Sequence, residues 1–346
     1  MYNYLNTEEV YFGAANGFSG FRSNFGKIFS PRTLDKLFII KGGPGTGKST
    51  LMRKIKERYS QECDITTILC SSDPDSIDGI IIKKGGITVG IADGTSPHTI
   101  EPEFPGATEE IINLGDGFDF KALRENKTEI IKLSDSKKTN YKSAYASLKL
   151  AGYVYDYISS CFAKTRYNNE AEEYIENLIQ DEDITDRKYS KSNFLLSAFC
   201  KNGYKCIEKS WHDKKVIKIK SEGIYEYILM SKISERLHER CISYRIFPSA
   251  FSVDLPDIIK TDRCVYKITF GTDCTLDSGL FIRQNYEYER LKSAFKSFIE
   301  SSQLSLIKAS EDHFKLESIY TTYTAFEKNE EKLSLILNKI DRLFDK

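Results

Sequence analysis

Residues 37–51 read LFIIKGGPGTGKSTL: an apolar run, a glycine-rich turn and a helix start in immediate succession. Leu37 to Ile40 are continuously apolar, as in a strand covered on both faces. The turn matches G-x-x-x-x-G-K-[ST] in the strand–loop–helix setting that this pattern requires. Glycines in the turn allow successive backbone N–H groups to point inward at one anion, and a helix opening near Lys48 adds its unpaired N–H groups. The cradle is assigned to Gly43, Pro44, Gly45, Thr46, Gly47, Lys48, Ser49 and Thr50. Lys48 is expected to reach the β- and γ-phosphates and Ser49 to ligate Mg²⁺. The pattern predicts a nucleoside triphosphate site, with ATP and Mg²⁺ as the expected ligands.

The chain has 346 residues, which suggests two domains or one large α/β domain with an insertion. Basic and acidic residues balance at 50 each, which argues against a protein whose main task is wrapping nucleic acid. The eight cysteines include no C-x-x-C pair, so reduced thiols are expected rather than a zinc site or a disulfide framework. MYNYLNTEEVYF does not read as a signal peptide, and no apolar run approaches the ~18 to 20 residues of a membrane span. A cytoplasmic enzyme is expected.

The second half echoes the first. LMRKIKER (51–58) returns as LMSKISER (229–236), and each follows a strand pattern, LFIIK and VIKIK. GITVGIADGT (86–95) is loosely matched by VYKITFGTDCT (265–275), Asn16-Gly17-Phe18 by Asn202-Gly203-Tyr204, and IIKLSDS (130–136) by LIKASED (306–312). Matches in one order at a similar interval predict a duplicated module. The second copy has KSEGIYEYI (220–228) where the first has KGGPGTGKST. Only Gly223 remains of the glycines, and Glu226 stands in the place of Lys48. A carboxylate there repels a triphosphate. The second half is therefore expected to be structural or regulatory.

The expected fold class is α/β, a parallel sheet with helical crossovers, duplicated, with a degenerate second copy and helical insertions. The expected domains are 1–185 and 186–346, joined by the charge-rich stretch 181–193. Strands are expected at 65–70 and 87–93 with a short apolar stretch at 80–82 between them, and helix from about 106 to 180. Ala144, Leu148, Ala151, Val154 and Ile158 recur as a buried helix stripe, and the C-terminal region reads as helix from about 286 to 344. Phe18, Phe21, Phe25 and Phe29 fall on one helical face.

Asp93 ends its strand at the edge where ligands gather in open α/β sheets, and is assigned to the Mg²⁺ site; capping the Asp-Gly turn is the competing role. No Glu follows it directly. Asp73, with Asp75 and Asp78, is a candidate to orient water or an acceptor hydroxyl, against the reading of a solvated loop. His98 is a candidate γ-phosphate sensor or proton shuttle, against a structural role. His212, His238 and His313 have no metal-ligand spacing among themselves.

FIIKGGPGTGKSTLMRKI (38–55), CSSDPDSIDGIII (70–82) and IADGTSPHTIEPEFPGA (91–107) together resemble an uncharacterised group of tandem-module P-loop ATPases from low-GC Gram-positive bacteria. The resemblance covers the first half well and the second faintly. It implies ATP binding and hydrolysis with Lys48, Ser49 and Asp93 in the roles above, and fuller members keep a phosphate loop in both modules. The leading expectation is an Mg²⁺-dependent ATPase with one active site, with Arg236 or Arg240 of the second half as arginine-finger candidates. A small-molecule or nucleoside kinase and a non-hydrolysing nucleotide sensor are the alternatives, with a small-molecule acceptor or a protein client as partner.

Overall fold

The computed structural model describes residues 8–164, 169–186, 188–221, 224–269, 274–277 and 286–345. The chain is α/β with mixed sheets and divides into two compact units, residues 1–14, 23–142 and 305–346 in the first and 15–22 with 143–304 in the second. The units are interleaved in sequence. The C-terminal residues 305–346 belong with the phosphate loop, whereas the expected division at 185/186 follows chain order.

The first unit contains β1 (Glu8–Phe12), a single helical turn α1 (Phe25–Ile28), β4 (Lys36–Lys41), α2 (Lys48–Tyr59), β5 (Asp64–Leu69), β6 (Ile77–Lys84), β7 (Ile87–Asp93) and β8 (Glu109–Asn113). β2 (Ala14–Gly17) and β3 (Gly20–Ser23) lie between β1 and α1 in the chain. The sheet order is β1-β5-β6-β7-β4-β8. β1 runs parallel to β5, and β4 runs parallel to both β7 and β8. β6 is antiparallel to β5 and β7, so the sheet is mixed where a parallel one was expected. The reason is local. Gly85 and Gly86 both have positive φ, +58° and +87°, the requirement of a two-residue hairpin turn after Lys84.

β4 has all four central residues buried, as its unbroken apolar run predicts. α2 packs Met52, Ile55 and Tyr59 onto this sheet. After α3 (Phe120–Glu125) and α4 (Lys127–Lys164), the chain returns to this unit only at the end of α7 (Tyr286–Thr322) and with α8 (Glu327–Phe344). Ile336 and Ile340 of α8 join the same core, and Tyr59 Oη donates to Asp341 Oδ1 at 2.7 Å.

The second unit repeats the arrangement. β9 (Tyr189–Lys191), β12 (Lys215–Lys220), β13 (Tyr244–Pro248), β14 (Pro256–Lys260), β15 (Cys264–Thr269) and β16 (Leu276–Asp277) form a sheet of order β9-β13-β14-β15-β12-β16. Parallel and antiparallel pairings fall at the same positions as in the first sheet. α6 (Tyr225–Glu239) follows β12 as α2 follows β4, and α5 (Asn169–Ile179) packs on α6 as α8 packs on α2. A hairpin of β10 (Ser197–Cys200) and β11 (Gly203–Cys206) completes the unit. Gly223, and residues 270–273 of the weaker matched segment, lie outside the described residues.

Several local expectations change. The phenylalanines at 18, 21, 25 and 29 do not share a helix: Phe18 and Phe21 belong to the β2–β3 hairpin, Phe25 opens α1 and Phe29 caps it. Gly20 at φ +95° turns the chain there. Gly17 packs so closely against the carbonyl of Phe251 that a Cβ would lie 2.4 Å from it, and Phe18 stacks on the Phe251 ring within the second unit. The expected linker 181–193 carries β9, and its Glu182 is buried, accepting hydrogen bonds from Thr261 and Tyr266. The segment 106–180 begins with β8 rather than helix, but the stripe on α4 holds: Ala144, Leu148, Ala151 and Ile158 are buried. All eight cysteines are free thiols.

Candidate functional site

β4 ends at Lys41, α2 begins at Lys48, and the glycine-rich turn lies between them at the edge of the first sheet. Gly45 and Gly47 take left-handed conformations, φ +68° and +84°, that a side chain resists. Thr46 is buried and closes the turn by donating from Oγ1 to the Gly43 carbonyl at 2.9 Å. Lys48 Nζ folds back onto the Gly42 and Gly43 carbonyls at 3.2 and 2.9 Å. It also lies 3.7 Å from Asp93 Oδ2. Pro44 is half-buried in the turn and Thr50 exposed on α2.

Of the two roles weighed for Asp93, the structure shows the turn cap. Its Oδ1 accepts from the Thr95 N–H and hydroxyl at 2.8 and 2.6 Å, capping the turn, while Oδ2 faces Lys48. Ser49 Oγ accepts from the Ile77 N–H at 2.9 Å, which ties the first turn of α2 to the start of β6. Ser49 and Asp93 both present oxygen, the donor a small hard cation takes when phosphate oxygens and water complete its shell. Those two residues fit Mg²⁺ by donor chemistry.

His98 is buried beneath Phe25, whose ring stacks on the imidazole with centroids 4.1 Å apart. Its Nε2 lies 3.1 Å from Asp78 Oδ2 and its Nδ1 3.4 Å from Ser23 Oγ. The structure thus sets His98 in a packed pair with Asp78 at the start of β6. Asp73 sits in the β5–β6 turn, its carbonyl accepting from the Ser76 N–H, and Asp75 is exposed. Tyr141 of α4 reaches this turn, donating to Ser72 Oγ at 3.2 Å. Burial, with the Asp78 charge behind it, pushes the Cys70 thiol well above its ordinary range.

Residues from α7 and α8 also touch the loop, and no motif in the sequence singled them out. Glu317 of α7 packs against Gly45, where a Cβ would lie 2.6 Å from the Glu317 carbonyl oxygen. Thr321 Oγ1 donates to the Gly45 carbonyl at 3.2 Å, and the buried Asn329 donates from Nδ2 to the Thr46 carbonyl at 2.9 Å. Tyr320 lies against Gly43. Glu317 is held below the usual carboxylate range, first by His313 and then by the Lys48 charge. His313 Nε2 lies 3.5 Å from Glu317, and its Nδ1 lies 3.5 Å from Lys137 Nζ of α4. One signal for these residues was present. The matched segments 130–136 and 306–312 end immediately before Lys137 and His313.

Among the described residues, the second unit does not repeat the Lys48–Asp93 pair. Aligning β12 with β4 and following the strand registers sets Ile268 where Asp93 stands and Asp257 where Asp78 stands. Glu226 is buried near the start of α6 and accepts from Ser221 Oγ at 2.6 Å. Asp257 is buried, with Ser197 and Tyr204 donating to its Oδ2 and no hydrogen-bond partner on Oδ1. It borders a cavity of about 360 Å³. Arg236 and Arg240 pair with Glu176 of α5. No helix among the described residues is long and apolar enough to cross a membrane. No family model, curated protein or solved structure matches the chain.

Proposed function

We propose that the chain is an Mg²⁺-dependent ATP-binding protein and ATPase, with its nucleotide site in the first unit. One observation carries this reading. Between β4 and α2 a turn with left-handed Gly45 and Gly47 leads into the helix, with Lys48 Nζ 3.7 Å from Asp93 Oδ2 at its mouth. A glycine-rich turn of this spacing, with a lysine at the start of the following helix, suits the anion phosphate.

In this reading the loop amides and Lys48 bind the β- and γ-phosphates, and Ser49 with Asp93 holds Mg²⁺. The metal supplies neutralisation of the charge that develops on the phosphate oxygens. Lys48 then leaves the carbonyls of Gly42 and Gly43 for the phosphates. The Asp78–His98 pair orients the β5–β6 turn, where Asp73 is the candidate to position water.

The fold we infer is a P-loop NTPase module present twice, the second copy degenerate, as in the tandem-module ATPases that the sequence resembles. The shared strand order and directions of the two sheets support it. So does the replacement of Asp93 and Lys48 by Ile268 and Glu226 at the matching places. A cytoplasmic location accords with the free thiols.

Steady-state phosphate release from ATP tests the proposal. Lys48→Ala is expected to abolish it, and full turnover in that variant removes the reading. Contacts from Glu317, Thr321 and Asn329 to the loop favour a second reading, a sensor whose nucleotide state is passed to α7 and α8. Tight binding with negligible turnover selects it.

A further inference from the structure

β7 and β8 flank β4, with Asp93 paired to Ile40 on one side and Asn113 to Lys41 on the other. Both run parallel to β4, so the chain leaves β8 at the sheet edge where the phosphate loop begins. Lys48 and Asp93 meet on the β7 side, 3.7 Å apart. The segment that follows β8 brings aromatic rings to the loop. A Cβ on Gly43 would lie 3.2 Å from the Tyr320 ring and 3.4 Å from that of Phe118. Phe118 packs on Tyr320 with centroids 5.5 Å apart and edge-on to Phe120 at 6.2 Å. Phe120, the first residue of α3, is 68% exposed.

Backbone bonds fix these rings in place. The Asp119 N–H donates to the Tyr323 carbonyl at 2.9 Å, the Ala325 N–H donates to the Gly117 carbonyl at 2.8 Å, and Lys332 pairs with Asp116 at 2.8 Å. Residues 116–119 are thereby strapped to the α7–α8 turn. Polar side chains beside the rings are engaged: Asp119 caps α3 through the Lys121 and Ala122 N–H groups, and Asn113 accepts from the Gly115 N–H while donating to Asp116. The segment thus offers a ligand the face of a ring. Every residue named here belongs to the first unit.

We propose that Phe120, backed by Phe118 and Tyr320, is the platform on which the base of a nucleotide bound at this loop stacks, and that it accepts adenine and guanine alike. The proposal rests on the reading of the loop as a nucleotide site. A triphosphate whose terminal phosphate lies toward Lys48 and Asp93 crosses the loop with its ribose and base directed to the β8 side. Stacking requires a π-face, which every base has, so this contact adds affinity without choosing among bases. Phe118 and Tyr320 are positioning residues that hold the platform against Gly43.

Titration calorimetry of the full chain with MgATP, MgGTP and magnesium tripolyphosphate tests this. Wild type is expected to bind both nucleotides more tightly than tripolyphosphate, which has no base. Phe120→Ala is expected to weaken MgATP and MgGTP by a similar factor, about fivefold to a hundredfold, and to leave tripolyphosphate unchanged. Phe120→Trp, which keeps a stacking face, retains nucleotide affinity. Unchanged nucleotide affinity in Phe120→Ala, or equal weakening of nucleotides and tripolyphosphate, overturns the platform while the nucleotide site stands. A loss confined to one of the two nucleotides overturns recognition by stacking. If wild type binds neither nucleotide nor tripolyphosphate, the nucleotide site itself falls, and the platform with it.

Discussion

Replacing Gly45 by alanine separates the contribution of the loop's backbone from that of its charges. Gly45 has φ +68°, and a left-handed conformation costs a side-chain-bearing residue roughly 1–2 kcal/mol. The added Cβ would also lie 2.6 Å from both the Glu317 carbonyl oxygen and Thr321 Oγ1. One of those atoms is helix backbone, so relief requires α7 to move away, at the ~1–3 kcal/mol typical of overpacking. Together these predict a loss of about 2–5 kcal/mol, concentrated on the seating of residues 305–322 against the loop. Domain stabilities are about 5–15 kcal/mol, so the unit is expected to stay folded with a loosened helix. Urea unfolding gives the total, and amide exchange over residues 305–322 locates it. Adding Thr321→Ala removes the softer clash and is expected to restore only part of the loss. A Gly45→Ala variant within 0.5 kcal/mol of wild type, with unchanged exchange, refutes the packing argument, since substitutions free of such features fall within about that range.

Other expectations concern single groups. Ser49→Ala is expected to weaken nucleotide binding in the presence of Mg²⁺ far more than in EDTA; equal weakening in both argues against a metal role. Burial raises the Asp257 carboxyl above its ordinary range, against the opposing hydrogen bonds of Ser197 and Tyr204. A folded-state pKa above the unfolded value favours folding at low pH, and that advantage is lost as pH rises through the folded value. Wild type is therefore expected to gain stability over Asp257→Asn as pH falls from 7 toward 4, as thermal melts would show, and a constant difference contradicts it. Tyr59→Phe removes the bond to Asp341 and is expected to cost about 1 kcal/mol by chemical denaturation. A cost indistinguishable from zero indicates that water replaces the phenol.

What the sequence determined by itself was local. An apolar run, a turn needing positive φ at Gly45 and Gly47, and a helix opening at Lys48 follow from residue chemistry within fifteen positions, and they stand as read. The α4 stripe and the C-terminal helices follow likewise from period and burial. Gly85-Gly86 carried an equally local hairpin signal, and weighing it would have turned β6 antiparallel in advance. Only tertiary structure decided what surrounds the loop. Glu317, Thr321 and Asn329 come from segments up to 283 residues away from their loop partners. No spacing rule links them to the glycines. Whether His98 meets phosphate or stacks on Phe25 was equally unreadable, because a lone imidazole carries no local mark of its partner. Backbone conformation is set by neighbours along the chain, whereas the charge on an anion site is summed over everything the fold brings within a few ångströms of it.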